Sequence, residues 1–245
     1  DEDGTHLAAG TKAITVVNVA PVVSAGADAT INEGGTFSQA GSFTDPGTDS
    51  WTATVNYGDG SGTQALTLTG KTFALSHAYA DNGMYTVSVT VTDDDTGVGS
   101  DTVTVTVNNV PPTIALAGDA TVNEGATYTL TLGAITDPGT DTVTEWIVHW
   151  GDGTTDTYTS GGAKTHVYAD DDPTGTPSDP FTITVDLKDE DGTHAAAGTK
   201  AITVVNVVPV VSAGADATIA EGGTFSQSGS FTDPGTDTWT ATVNY

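Results

Sequence analysis

Basic residues are nearly absent from this sequence. The five that occur are all lysines, and 32 acidic residues give a formal net charge of −27. Nucleic acids and anionic membranes are bound through clustered lysine and arginine, so neither is expected as a partner. A surface of this kind attracts divalent cations, which would relieve the repulsion between its carboxylates.

Cysteine and long apolar segments are missing as well. Small secreted domains commonly rely on disulfides, and a metal ion is the alternative cross-link. No segment approaches the ~20 apolar residues of a membrane span, so we expect no membrane insertion. Nucleophilic catalysis needs an activated serine or cysteine, and there is neither a cysteine nor a Gly-x-Ser-x-Gly turn. We therefore expect no enzymatic activity.

Valine and threonine alternate strictly in several segments. Residues 85–91 and 103–107 place valine at every second position, with threonine or serine between. This is the period of a half-buried strand, with one face in the core and the other in water. We find no segment with helical periodicity, and the sequence predicts an all-β fold.

The chain repeats itself. Residues 1–57 return at 189–245, an offset of 188, with five differences. An Asn-Val-x-Pro junction at Asn18, Asn109 and Asn206 divides each repeat in two. We therefore predict the end of a preceding domain at 1–19, a domain A at 20–110, a domain B at 111–207 and the start of another domain A at 208–245. The whole is expected to be part of a longer array.

Domain A is predicted to contain seven strands. We place them near 29–31, at 36–43, at 51–57, twice within 63–76, at 84–92 and at 101–108. Turn residues separate them, as in Asp45-Pro46-Gly47-Thr48-Asp49. Seven short strands in about 90 residues are typical of an immunoglobulin-like β-sandwich.

Two motifs resemble the PKD (polycystic kidney disease) domain family. The first is a W/Y-G-D-G turn, at residues 57–60 and 150–153, and the second is His-x-Tyr, at 77–79 and 166–168. Domain B departs from the pattern with a longer, acidic corner between Tyr168 and Phe181. The resemblance implies tandem immunoglobulin-like (PKD-type), seven-stranded β-sandwiches in a linear array. It also implies an extracellular spacer or interaction module without catalytic residues.

Carboxylates and amides concentrate where consecutive domains are predicted to meet. In such a sandwich the B–C and F–G loops lie at the end where the chain comes in, close to the linker and the preceding domain. The exit end of that preceding domain offers Glu33 and Asp81, or Glu124 and Asp170 to Asp172. Oxygen ligands from loops suit Ca²⁺, which takes six to eight of them at ~2.3–2.6 Å. We therefore expect Ca²⁺ as the cofactor at each junction. The candidate ligands are Asn18, Glu33, Asp45, Asp49, Asp93, Asp95, Asn109, Glu124, Asp137, Asp141, Asp189, Asp191, Asn206, Asp233 and Asp237.

Simpler interpretations stay open for these side chains. Aspartates in D-P-G turns commonly bond their own backbone, and an acidic loop is often only solvated. His77 and His166 are predicted to pack or bond locally, whereas His194 offers a weaker alternative, a transition-metal site. The four tryptophans are predicted to be core or strand residues, and an exposed aromatic platform for sugars is the alternative.

The favoured function is a structural or adhesive extracellular array, such as a stalk, surface fibre or filament segment, stiffened by Ca²⁺. Its partners would be neighbouring repeats, with possible lateral self-association into fibres. The alternative is a carbohydrate- or protein-binding accessory module of a secreted enzyme or adhesin, which would bind surface glycans or proteins. Near-identical repetition of every motif argues against an active site, which needs a single well-formed cleft.

Overall fold

The computed structural model describes residue 10, residues 12–172 and residues 176–244, and these residues contain strands and no helix. The chain divides into two compact units, Asp1–Asn109 and Val110–Tyr245, called unit 1 and unit 2. Each has its own hydrophobic core. The all-β, immunoglobulin-like architecture predicted from alternation is therefore present in both.

Unit 1 forms two sheets from nine strands in its described part. The sheets have the orders β1-β3-β7-β6 and β2-β9-β8-β4-β5, and every pairing is antiparallel except β2 with β9. The strands are β1 (Val22–Ser24), β2 (Ala29–Asn32), β3 (Thr36–Thr44), β4 (Trp51–Asn56), β5 (Thr63–Leu66), β6 (Leu68–Thr69), β7 (Thr72–Ala78), β8 (Gly83–Asp93) and β9 (Val98–Asn108).

The valine–threonine alternation produces the core of unit 1. Val87 and Val89 of β8 and Val105 of β9 are fully buried, and they pack with Phe37 of β3 and Leu75 of β7 from the other sheet. Neighbouring threonines point away from this core, because successive side chains of a strand face opposite sides. Burying a valine or leucine side chain contributes about 1.5–3 kcal/mol, so this row of apolar residues holds the two sheets together.

The strand count differs from the seven predicted, for a local reason. The first strand is divided, with β1 in one sheet and β2 in the other. The chain changes sheets at Ala25 and Gly26, where Gly26 has φ 103°. A Cβ on Gly26 would collide with the Gln39 side chain, which donates a 2.7 Å hydrogen bond to the Ala25 carbonyl. Strand β6 is the second additional strand, because residues 63–78 form three strands, β5, β6 and β7, where two were predicted.

Unit 2 repeats this arrangement. Its sheets have the orders β10-β12-β15 and β11-β17-β16-β13-β14, with a separate pair β18-β19. The strands are β10 (Thr113–Ala117), β11 (Thr121–Asn123), β12 (Thr127–Thr136), β13 (Glu145–His149), β14 (Thr155–Tyr158), β15 (Gly162–Val167), β16 (Ser178–Lys188), β17 (Thr193–Val205), β18 (Val210–Ser212) and β19 (Ser230–Thr232).

The W/Y-G-D-G and His-x-Tyr motifs form one interlocked cluster in each unit. In unit 2, His166 lies 2.6 Å from the Asp152 carboxylate and stacks on Trp150 at 4.5 Å between ring centroids. The buried Tyr168 hydroxyl donates a 2.9 Å bond to the Trp150 carbonyl. In unit 1, His77 lies 2.6 Å from Asp59. The prediction that both histidines are locally packed and bonded is confirmed.

Residues 208–244 form a single pair of short strands, β18 and β19. β18 pairs with β19 in the register that β1 makes with β3, since Val210 faces Thr232 as Val22 faces Thr44. Both short strands are exposed along their whole length. Trp239, predicted to be a core or strand residue, is 47% exposed because no second sheet covers it among the described residues. That prediction is wrong for Trp239.

Replacing Tyr168 by phenylalanine tests the interlocked cluster. The change leaves the buried Trp150 carbonyl without this donor, so we expect unit 2 to lose about 1–2 kcal/mol of stability. Amide exchange of β16, measured by mass spectrometry, should become roughly 5- to 30-fold faster. Tyr158→Phe is the control, because its hydroxyl makes only an exposed 3.3 Å contact with Asp156. Equal effects of Tyr168→Phe and Tyr158→Phe would contradict a stabilising role for the Tyr168 hydroxyl bond.

Candidate metal centre

The Asn-Glu-Gly turn after β11 fixes Glu124 at one end of unit 2. The Glu124 N–H donates to the Val205 carbonyl at 3.0 Å, and the Gly125 N–H donates to the Tyr168 carbonyl at 2.8 Å. Gly125 has φ +68°, a conformation that side chains other than glycine rarely adopt. The turn is therefore held between the end of β17 and the corner tyrosine.

The Glu124 side chain is 1% exposed, and its two carboxylate oxygens differ. Oε1 accepts a 2.6 Å hydrogen bond from the Val207 N–H. Oε2 is buried and has no hydrogen-bond partner among the described residues. Burial raises the pKa of Glu124, and the charges of Asp237 and Asp171 raise it further, against the opposing effect of the Val207 bond. A buried carboxylate oxygen without a hydrogen-bond donor is costly unless a cation or a proton neutralises it.

The acidic corner that distinguishes domain B supplies two more carboxylates. Asp171 is 4% exposed, and its Oδ2 has no partner in the described part of the chain. Burial raises the pKa of Asp171, with the charges of Asp170 and Asp179 adding to the shift. Asp170 is half-buried, and its Oδ2 accepts a 2.8 Å bond from the Thr236 hydroxyl.

The fourth carboxylate arrives on the D-P-G-T-D loop at 233–237. Asp233 closes this loop, accepting the Gly235 N–H at 3.1 Å on one oxygen and the Trp239 indole N–H at 3.1 Å on the other. Asp237 lies at the far side of the loop. Partial burial raises the pKa of Asp237, followed by the charges of Asp170 and Asp233.

These four residues, Glu124, Asp170, Asp171 and Asp237, form what we call the four-carboxylate cluster. Each offers an oxygen, and these oxygens all lie within 4.8 Å of one another. Next to the cluster is a cavity of about 460 Å³, which Asn206 and Asp172 also line, and no lysine is among its lining residues. Four like charges this close repel strongly in a partly buried site.

The donor set fits Ca²⁺. All donors are oxygens, they come from three separate segments, and two of them are buried without a protein partner. Calcium accepts six to eight oxygens in irregular geometry, whereas Mg²⁺ requires a near-ideal octahedron and holds its water. Carboxylates of Glu124, Asp170, Asp171 and Asp237, with the Asn206 amide beside them, would hold such an ion.

Unit 1 brings together a second group of predicted ligands. Oxygens of Asp45, Asp49 and Asp93 lie within 4.8 Å of one another. Two of the three are already bonded. Asp45 accepts from Gly47 at 2.9 Å and from the Trp51 indole at 3.0 Å. Asp93 accepts from Gly97 at 2.6 Å and from the amide of Asn18 at 3.0 Å.

The protonation behaviour of this group follows its bonds. The hydrogen bonds from Trp51 and Gly47 lower the pKa of Asp45, whereas burial and then the charge of Asp45 raise the pKa of Asp49. These contacts fit the alternative interpretation, in which such aspartates form turns. A metal role for Asp45, Asp49 and Asp93 stays a prediction.

The other predicted ligands lie in varied surroundings. Asp95 and Asp191 are exposed. Asp189 is buried and bonded within its own loop, to the N–H groups of Asp191 and Gly192 and, at 2.8 Å, to His194. Glu33 is buried, while Asn109, Asp137 and Asp141 are half-buried. Their roles as metal ligands stay predictions.

Asp170 and Asp171 stand in the acidic corner by which domain B departs from domain A, and the sequence predicted that corner beside Glu124 at the exit end of the domain. The structure brings both aspartates into the four-carboxylate cluster. The corresponding Asp81 of unit 1 is exposed. The lengthened corner therefore supplies two of the four carboxylates of the cluster.

The comparisons with known proteins support the fold of unit 1. The PKD domain family model matches residues 18–107. A PKD domain is found there. Domains of this immunoglobulin-like class are typically extracellular and generally non-catalytic. The described part of the chain contains no helix that could span a membrane. No protein of a curated set matches the sequence.

Similar solved structures include a single PKD domain and a longer glucan-locus protein. The PKD domain of an M14-like peptidase from a Thermoplasmatales archaeon is 26% identical over 37% of this chain and 98% of its own, with a TM-score of 0.31. SGBP-B of a Bacteroides ovatus mixed-linkage glucan utilization locus, in complex with a heptasaccharide, is 20% identical over 79% of this chain and 53% of its own, with a TM-score of 0.30.

The raised pKa values give a testable pH dependence. A carboxylate whose folded pKa is raised favours folding below its unfolded pKa, and that contribution is lost as pH rises through the folded value. Without metal, Asp171→Asn should therefore stabilise unit 2 near pH 7, and the gain should vanish below the ordinary aspartate value of 3.8. Amide exchange in excess chelator at several pH values measures this. Asp216→Asn, at an exposed position, is the control. A gain that grew toward acid would contradict the prediction.

Proposed function

We propose that this chain is a segment of a structural or adhesive extracellular repeat array, a stalk, fibre or filament, whose domain junctions are stiffened by Ca²⁺. The observation that carries the proposal is the four-carboxylate cluster, with buried oxygens of Glu124 and Asp171 that lack protein partners. It lies between the end of the domain B sandwich and the D-P-G-T-D loop of the next copy of domain A.

An ion there would act on the connection between consecutive modules. Glu124 and Asp171 belong to the sandwich, whereas Asp237 lies beyond the linker that contains Asn206. A cation that coordinates both sides converts their repulsion into a shared attraction. Because such an ion binds only the assembled arrangement, it restricts the hinge that the linker would otherwise allow.

The repeat pattern supports a spacer. Residues 1–57 and 189–245 differ at five positions, and each unit has a separate core. Stability in such arrays is a sum of module and neighbour terms, and length follows from copy number. The net charge of −27 opposes close approach of the modules, and divalent cations would offset it. Lateral association of arrays into fibres stays part of this proposal.

The binding-module alternative has less support from the sheet faces. In the described parts of the two sandwiches, the exposed large apolar side chains are aliphatic and scattered, such as Met84, Val98 and Val167. An aromatic platform for sugars needs tryptophan or tyrosine rings facing solvent in a row. The exposed Phe225, Phe231 and Trp239 lie instead in residues 208–244.

Thermal unfolding with and without calcium tests the proposal. At about 100 times its Kd, Ca²⁺ bound only to the folded state should stabilise unit 2 by ~2.7 kcal/mol. Asp171→Asn and Asp237→Asn should each reduce that gain strongly, because each removes a ligand. Asp216→Asn keeps the same net-charge change at an exposed site and should preserve the gain. Equal melting temperatures in millimolar Ca²⁺ and in chelator would contradict stabilisation by calcium.

A further inference from the structure

The D-P-G-T-D loop has the same internal geometry in two different surroundings. At 45–49, within a complete sandwich, and at 233–237, where only two short strands form, the first aspartate accepts the glycine N–H at 2.9 and 3.1 Å. The same aspartate accepts the following indole N–H at 3.0 and 3.1 Å. The phenylalanine and tryptophan rings beside the loop lie 5.4 and 5.1 Å apart. The loop therefore keeps the same internal hydrogen bonds in both surroundings.

The Asn-Glu-Gly turn also has the same hydrogen bonds and the same glycine conformation in both units. In units 1 and 2 the glutamate N–H donates to the end of the last strand at 3.0 Å, to Asn108 and Val205 respectively. The glycine N–H donates to the corner tyrosine carbonyl at 2.8 Å in both, and Gly34 and Gly125 both have φ +68°. The turn is thus a rigid surface at the downstream end of a sandwich.

In unit 2 the loop and the turn fit together at two glycines. A Cβ on Gly125 would lie 2.8 Å from the Pro234 Cβ, and one on Gly235 would lie 2.5 Å from Glu124 Oε2. Real Cβ atoms essentially never approach other heavy atoms this closely. The Thr236 hydroxyl adds a 2.8 Å bond to Asp170. At Gly125 the obstacle is the Pro234 Cβ and backbone, and at Gly235 it is the Glu124 carboxylate, which its bond from Val207 holds in place.

We propose that the downstream end of domain B is a docking site for a D-P-G-T-D loop, which it recognises by shape and hydrogen bonding without a metal ion. The partner is the loop of a following domain A, a second copy of the chain's own repeat. The sequence contains the loop at 45–49, 137–141 and 233–237, and the Asn-Glu-Gly turn at 32–34 and 123–125. Within unit 2 this contact sets where the loop of the following domain A sits on domain B, and calcium then strengthens an arrangement already made.

Glu124 allows docking and metal binding to be separated. Its Oε1 holds the Val207 N–H, a bond that the carbonyl of glutamine would also accept. The metal would need the charge, which glutamine lacks. Glu124→Gln should therefore keep the docked loop and lose the calcium effect, whereas a side chain at 235 should undock the loop with or without calcium.

Distance measurement between two spin labels tests the docking site in the full chain. The sequence has no cysteine, so Thr157→Cys and Ser226→Cys, both at exposed positions, give a single labelled pair across the contact. In excess chelator we expect one narrow distance distribution, which Gly235→Ala and Thr236→Val should broaden or shift, since valine lacks the hydroxyl that bonds Asp170. Thr48→Val makes the same change in the loop of unit 1 and should leave the distribution unchanged.

The outcomes distinguish this proposal from the calcium proposal. A distribution that is broad in chelator and narrows only with Ca²⁺ would overturn metal-free docking and leave the calcium site standing. A narrow distribution that neither Gly235→Ala nor Thr236→Val alters would also overturn it. A narrow distribution in the labelled chain that Gly235→Ala broadens would support docking. If Ca²⁺ changed the distribution of neither the labelled chain nor its Gly235→Ala variant, the calcium site would be ruled out.

Discussion

Repulsion between buried carboxylates is the constraint on which the end of unit 2 depends. Glu124 and Asp171 are 1% and 4% exposed, and they lie with Asp170 and Asp237 close enough for their oxygens to share one ion. Protonation would relieve the repulsion in acid, as the raised pKa values of Glu124, Asp171 and Asp237 indicate. At neutral pH a divalent cation bound between the ionised carboxylates would relieve the repulsion without protonation. Under the calcium proposal, the strength of the link between successive modules would therefore vary with the cations in the solution.

Much of the fold could be predicted from the sequence, because its strongest signals are local. Alternation at 85–91 and 103–107 places the core valines, and the W/Y-G-D-G and His-x-Tyr motifs place the Asp152–His166 contact that locks one end of the sheet. The change of sheet at Gly26 could not be predicted, since it depends on Gln39 reaching back across the fold. The core position expected for Trp239 was wrong because its pattern is that of Trp51, while its covering sheet is absent from the described residues.

The candidate site was predictable only in part. Glu124 and the acidic corner were expected to meet the B–C loop of the next domain, which carries Asp237. Which of their oxygens would lack a hydrogen-bond partner could not be predicted, because that depends on how the longer corner folds back. The group at Asp45, Asp49 and Asp93 shows why composition is insufficient. Its aspartates are as close together, yet Trp51, Gly47, Gly97 and Asn18 already occupy the oxygens of two of them. Unsatisfied buried oxygens, which only coordinates reveal, distinguish the two groups.

The most direct test of the account is the anomalous scattering of a crystal of this chain grown in millimolar Ca²⁺, with a second crystal soaked in a lanthanide as a stronger scatterer. The account predicts an anomalous peak enclosed by carboxylates of Glu124, Asp170, Asp171 and Asp237, with oxygens at ~2.3–2.6 Å. Well-ordered carboxylates that instead share protons or bind only water, with no anomalous peak among them, would contradict it.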